Sequence, residues 1–159
     1  MRRLAFAAVS LAFLATACQP ATTELTEEQK AAIADTVMQL SAEMSEAWDS
    51  QDSSRFYGYL ADWSAFPMAG WPSLDAYRSD IASFWPRFSS WTSDQREIRT
   101  LVLGRDAVAL EGRQVAAVTD TAGTSGEWIT IYSELWVRGD TGWKILFYKF
   151  YNLEVPDLQ

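Results

Sequence analysis

Residues 132–148 read YSELWVRGDTGWKILFY, from Tyr132 through Glu134 and Trp136 to Tyr148. Two apolar-rich runs flank Gly139-Asp140-Thr141-Gly142, and their side chains alternate instead of recurring every three or four residues, as a β-hairpin requires. Gly139 to Trp143 fits a three-residue loop, a type I turn followed by Gly142 in the left-handed region. Residue 139 then faces 143, which sets 138 against 144, 136 against 146, 134 against 148 and 132 against 150. Because side chains alternate between faces, this register decides which residues share a surface, and a one-residue slip would exchange the two sets.

Working outward, residues 96–103, 107–119, 126–138 and 143–153 read as strands, separated by Gly104-Arg105-Asp106, by residues 120–125 and by the loop above. The first half of the chain has a different period. Thr26-Glu27-Glu28-Gln29 is a capping box, so a helix begins there. Ile33, Val37, Leu40, Met44, Ala47 and Trp48 form its apolar stripe, which ends near Ser50. Asp52 caps a short second helix carrying Phe56, Tyr59 and Leu60. Residues 62–66 suit a short strand, with Asp62 and Trp63 as its entry, and residues 67–72 read as a loop. Ser73 caps a third helix bearing Leu74, Tyr77, Ile81 and Phe84, which Pro86 kinks or ends. Three helical segments followed by a four-strand antiparallel meander make an α+β domain, helices on one side of a curved sheet.

The order of EAWDSQDSSRFYGYLADW, GWPSLDAYRSDI, LVLGRDAVALEGR and YSELWVRGDTGWKILFY resembles the nuclear transport factor 2-like superfamily. The SnoaL-like cyclases and ketosteroid isomerase belong to it. The likeness covers residues 27–153 and rests most on Gly104-x-Asp106-x-x-Ala109 and Asp140-x-Gly142-Trp143-Lys144-Ile145. It implies a cone in which three helices close over a strongly curved antiparallel sheet, leaving a pocket in the mouth. It also implies dimerisation through the outer sheet face. It does not transfer a mechanism. Where the isomerase has its catalytic Asp, this chain has Phe66-Pro67-Met68-Ala69-Gly70, and the histidine of related dehydratases has no counterpart in a chain without histidine. The association domain of calmodulin-dependent kinases is a further member, and the positions that are basic or histidine in its pocket hold Tyr77, Gln114, Glu134 and Phe150 here, which disfavours an anionic ligand.

The register places Leu110, Gln114, Trp128, Tyr132, Glu134, Trp136, Leu146, Tyr148, Phe150 and Asn152 on one face. Glu111, Arg113, Ile131, Ser133, Leu135, Ile145, Phe147 and Lys149 fall on the other. Setting Asp120 against Gly126 places Gly112 opposite Glu134 and Gln114 opposite Tyr132. The aromatic face with few polar tips is how small-molecule sites look. Tyr77, Gln114, Trp128, Tyr132, Glu134, Trp136, Tyr148 and Phe150 are therefore the expected ligand-binding residues. Trp71 and Trp85 extend the aromatic set, for which ordinary core packing is the competing reading. Glu134 has two readings. Poor solvation among rings would raise its pKa and suit it to proton transfer, with Tyr132 or Tyr148 as proton donor. Alternatively it accepts a hydrogen bond from a Tyr hydroxyl or a Trp N–H and is structural. Glu111, Arg113 and Lys149 read as an ion-pair ladder or a dimer contact.

Composition narrows the partners. The chain of 159 residues carries a net charge of −8 and no histidine. Such a surface repels nucleic acid and anionic headgroups, and no metal site or other cofactor is expected. The single cysteine, Cys18, follows Met1-Arg2-Arg3 and an apolar run from Leu4 to Ala17, the order of an export signal. Ala15-Thr16-Ala17 fits ordinary cleavage, whereas Ala-Thr-Ala-Cys resembles a bacterial lipobox with its Leu one place further out than usual. An unpaired thiol in an oxidising compartment favours lipidation of Cys18, and Gln19 after it resembles the outer-membrane signal. The expected layout is a lipoprotein signal peptide over residues 1–17, a tether over 18–26 and the folded domain over 27–155. The function expected is a membrane-anchored, non-catalytic domain facing the periplasm, which binds a small apolar or aromatic molecule or serves as a dimerising module. The alternative is an isomerase, cyclase or dehydratase using Glu134 as general base with a Tyr as donor.

Overall fold

The computed structural model describes residues 24–61, 71–154 and 156. The expected signal segment, Cys18, most of the tether, the strand at 62–66 with Asp62 and Trp63, and residues 66–70 lie outside the described residues. Helix α1 spans Glu27–Asp49, α2 Ser53–Gly58 and α3 Leu74–Phe84; the strands are β1 Phe88–Gly104, β2 Ala107–Asp120, β3 Ser125–Gly139 and β4 Gly142–Glu154. The sheet is antiparallel in the order β1-β2-β3-β4. Among the described residues no helix is long and apolar enough to cross a membrane.

The helix starts follow their caps. Thr26 Oγ1 accepts from Gln29 N–H at 3.2 Å while Gln29 Oε1 accepts from Thr26 N–H at 3.0 Å. Each side chain thereby satisfies a backbone donor that the first turn leaves open. Asp52 and Ser73 do the same for Arg55 N–H and Ala76 N–H. Helix α1 buries Val37, Ser41, Met44 and Ala47 against the sheet. These join residues of α2, α3, β2, β3 and β4 in one core, against which Ile98 and Val102 of β1 also pack, with Trp136, Val108 and Ile145 fully enclosed. Gln51, at a φ of 55°, ends α1 and donates through Nε2 to the carbonyls of Trp85 and Phe88, each at 3.3 Å. A 3-10 turn over Trp85–Arg87, with Pro86 inside it, then feeds β1.

β1 begins at Phe88, eight residues before the alternation became visible at 96. Ser89, Ser90, Thr92 and Asp94 are exposed edge positions, and their polarity hides the strand. Further on, the register jumps between Arg96 and Arg99, and Glu97 takes a φ of 54°. A bulge of this kind bends the strand and sharpens its twist. The bend lies opposite Gly112 of β2, and Gly112 pairs with Tyr132 of β3. A Cβ on Gly112 would stand 2.5 Å from the Tyr132 hydroxyl oxygen and 2.6 Å from Cζ. Glycine is required there because the phenol ring lies against the backbone.

Two pairings differ from expectation. Thr119, not Asp120, anchors the β2–β3 register against Ser125, so Gly112 faces Tyr132, Gln114 faces Thr130 and Leu110 faces Glu134. The cause is the turn. Asp120 and Thr124 bond through their backbones at 2.9 Å, and Asp120 Oδ1 accepts from Thr124 N–H at 2.8 Å, closing the loop two residues earlier on the β3 side. The slip is even-numbered, so the faces survive. At the β3–β4 hairpin the loop has two residues: Gly139 pairs with Gly142, Arg138 with Trp143 and Trp136 with Ile145. A bulge beyond Ile145 then restores Glu134 opposite Tyr148 and Tyr132 opposite Phe150. The expected pairs 138–144 and 136–146 are thus replaced. Ile145 is fully buried and Leu146 is turned outward, the reverse of the assignment from alternation alone. The same bulge receives the chain leaving α2: Ala61 N–H donates to Ile145 O, and Ile145 N–H to Tyr59 O at 2.8 Å.

Candidate functional site

The helices close over the concave face of the bent sheet and leave a cavity of about 290 Å³. From β3 and β4, Trp128, Thr130, Tyr132, Glu134, Tyr148, Phe150 and Asn152 line it; Gln114 does so from β2. Seven of the eight expected ligand-binding residues are among the lining. The eighth, Trp136, lies behind Glu134 with no exposed surface and belongs to the floor, not to the wall. Trp85 is likewise core, packed edge-on against Trp48 at 5.2 Å and against Phe56 at 6.0 Å.

Alternation along the strands brought these residues together, but several others escaped it. Trp91 and Gln95 enter from the half of β1 whose polar sequence disguised it. Thr130 has the same parity as Trp128 and Tyr132 and was recoverable from that parity. Asp80 falls three residues after Tyr77 on α3, so the spacing that marked the apolar stripe also carries an acid to the cavity edge. Met44, Ser45 and Trp48 reach in from α1, where they looked like plain stripe.

Rings dominate the wall. Trp71 meets Tyr77 at 5.0 Å and Phe150 at 6.0 Å, and Tyr148 meets Phe150 at 5.8 Å. On the other side, Trp91 packs on Trp128 at 5.5 Å and on Phe84 at 5.9 Å. Their polar tips are mostly held. Trp128 Nε1–H donates to Asn152 Oδ1 at 3.0 Å, and Thr130 Oγ1–H to the same oxygen at 3.2 Å. Trp91 Nε1–H donates to Ser93 Oγ at 3.1 Å, and Ser93 donates in turn to Asp49 Oδ1 at 2.6 Å. Asp49 sits at the C-terminus of α1, where the helix dipole disfavours an anion. Burial raises its pKa, and the Ser93 hydroxyl and backbone N–H pull it back. Gln114 Nε2–H donates to Ser45 Oγ at 3.2 Å.

Glu134 is the chemical centre. It is 3% exposed, and its Oε2 accepts a 2.6 Å hydrogen bond from Trp136 Nε1–H. Residues two apart on a strand share a face, which is how one strand supplies both acid and donor. Burial pushes the carboxyl up to about 7, while the indole and then the Ser41 hydroxyl work against that rise. Desolvation wins because one strong donor replaces only part of the hydration a carboxylate loses. Around Glu134 stand two phenols. Tyr148 is its partner across β4, and Tyr132 precedes it on β3. Burial first, and the Glu134 charge second, push both phenols well above their ordinary value, so they stay protonated. The Tyr132 hydroxyl has no hydrogen-bond partner among the described residues, nor has Ser41 Oγ. Ser41 is close enough to influence both Glu134 and Tyr132, but its geometry closes a bond to neither. Among the described residues no group of three or more Asp, Glu, His or Cys could hold a metal ion.

A layer of helices over a bent four-strand sheet, with a ring-lined cavity between them, defines the nuclear transport factor 2-like fold. Solved structures with this architecture match the chain. A scytalone dehydratase-like protein from Novosphingobium aromaticivorans superimposes with a TM-score of 0.74 at 13% identity, over 84% of this chain and 93% of its own. A hexachlorocyclohexane dehydrochlorinase from Novosphingobium barchaimii gives 0.68 at 14% identity, over 81% and 92%. A dehydratase-like protein of the same fold family from Streptomyces avermitilis gives 0.65 at 12% identity, over 77% and 97%. No family model matches the sequence, and no curated protein does. At these identities the likeness defines the fold.

Proposed function

We propose that the domain binds a small, largely apolar molecule in the cavity between its helices and sheet. The observation that carries this reading is the cavity itself: about 290 Å³ walled by rings, with Gln114, Tyr132, Glu134 and Asn152 among them. Ligand sites are apolar hollows with a few placed polar groups, and this one has the size of a small organic molecule. One specific observation favours a second reading, acid–base catalysis. Glu134 has a carboxyl pKa near neutrality, where a general base is most effective. Beside it, Tyr132 and Tyr148 hold their protons as donors. Dehydratases and a dehydrochlorinase among the structural neighbours share the fold, but a fold alone does not transfer a reaction.

The wider setting belongs to the same proposal. Lipidation at Cys18 would tether the domain to the outer membrane, facing the periplasm, since two or three acyl chains suffice for stable anchoring. The outer sheet face supports a homodimer: Leu101, 62% exposed on β1, and Phe147, 36% exposed on β4, stand at the two ends of one cross-strand row, with exposed Leu103 and Tyr151 further along the same edge strands. Native mass spectrometry of the purified chain reads ligand and dimer together. The expected spectrum shows a twofold mass plus a non-covalent small-molecule adduct; empty chains that take up no hydrophobic compound would overturn the binding reading. Changing Cys18→Ala should move the protein from the membrane to the soluble fraction, and continued membrane retention would remove the lipid anchor from the proposal.

A further inference from the structure

The charges around the cavity have one sign. Among the described residues its charged lining is Glu134 at the base and Asp80, exposed on α3, and neither Lys nor Arg lines it. An anionic ligand would therefore meet two acids and no compensating cation. A neutral ligand would leave the base of the cavity as it is.

Three features favour the opposite charge. First, Trp71, Tyr77, Tyr148 and Phe150 form a continuous ring wall beside Glu134, and ring faces attract cations through their quadrupoles. Second, the polar groups at the base have acceptor capacity left over. Trp136 engages Oε2 of Glu134 alone, and the Tyr132 hydroxyl, on a residue only 2% exposed, has no partner among the described residues. An ammonium carries several N–H donors and no acceptor, which complements such a pair. Third, the chain's net charge of −8 draws cations toward its surface and repels anions.

We infer that the ligand is an organic cation, a protonated amine on a small apolar or aromatic frame, with its N–H groups directed to the Glu134 carboxylate and the Tyr132 hydroxyl oxygen. The frame packs among the rings and the ammonium ends at the acid. This inference rests on the cavity being a ligand site, and it adds the class of ligand.

Three probes with one frame separate the two. 4-Phenylbutylamine is a cation at pH 8, 4-phenylbutan-1-ol is neutral, and 4-phenylbutanoate is an anion. Binding to the full chain is followed by quenching of tryptophan fluorescence and by calorimetry. The amine is expected to bind at least ten-fold more tightly than the alcohol, with the carboxylate weaker than both. In Glu134→Gln the amine's advantage over the alcohol should fall below three-fold. Asp80→Asn, an exposed change that leaves the core untouched, should reduce amine binding two- to three-fold at low salt and less at high salt. An alcohol that binds as well as the amine, or an amine advantage that persists in Glu134→Gln, overturns the cation while leaving the cavity a ligand site. Failure of all three probes overturns both.

Discussion

Changing Glu134→Gln is expected to stabilise the fold by about 3 kcal/mol at pH 8 and to change it little near pH 4. The sign follows from proton linkage. Glu134 has a folded-state pKa of about 7, against 4.5 for an unperturbed carboxyl. The folded state therefore binds the proton more tightly than the unfolded state. Its contribution to stability is fully present below about pH 4.5, declines as pH rises through 7, and is absent above it. Glutamine keeps the shape, cannot ionise and still accepts from the Trp136 indole. The groups facing Glu134 are Tyr132 and Trp136 on its own strand, Tyr148 on β4, Leu110 on β2 and Ser41 on α1. None of them titrates between pH 4 and 8. Asp49 is shifted in the same direction, but it is unchanged in the variant, so the difference between the two proteins isolates Glu134. Urea unfolding at pH 4, 6 and 8 measures the effect. Stability curves that run parallel across that range would mean that Glu134 is solvated and ordinary.

The second large effect is expected at the residue behind it. Trp136→Phe removes the 2.6 Å donor to Glu134 and leaves a void in a site with no exposed surface. Contracting a buried ring and deleting a bond to a charged group together predict a loss of about 2–4 kcal/mol at pH 8. The indole is the main influence holding the Glu134 pKa down. Without it the carboxyl titrates above 7, and the loss should be smaller at pH 5, where the acid is neutral in either protein. A loss of equal size at both pH values would reduce the indole to a space-filler. The two variants are in contact and are not expected to be additive.

These predictions depend on features of unequal visibility in the sequence. Helix α1 was legible from both directions, because Thr26 and Gln29 are the cap's own chemistry and Val37, Met44 and Ala47 keep helical spacing. Strand faces were legible because parity survives a slip of two residues, so the misplaced Asp120 turn still left Tyr132 and Glu134 on the concave side. Bulges were not legible. Glu97 and Ile145 have ordinary β-strand neighbours, and nothing local distinguishes a strand that skips a residue from one that does not. Hence Ile145 and Leu146 exchanged sides. For Glu134 the sequence allowed a hydrogen-bonded acid or a desolvated one, and the structure contains both at once. A void cannot be read from residue types, since the same rings fill or frame a space according to how the backbone bends.

That bend has a consequence for anyone reshaping the cavity. Where Gly112 passes beneath the phenol of Tyr132, the sheet has a crease with a hydrogen atom in place of a side chain. The depth of the hollow is thus set from outside it. A methyl group added at the crease would push the phenol inward and shrink the chamber, and trimming the phenol would let the crease accept larger residues. Positions 112 and 132 work as one adjustable joint, and volume gained at either must be given up by the other.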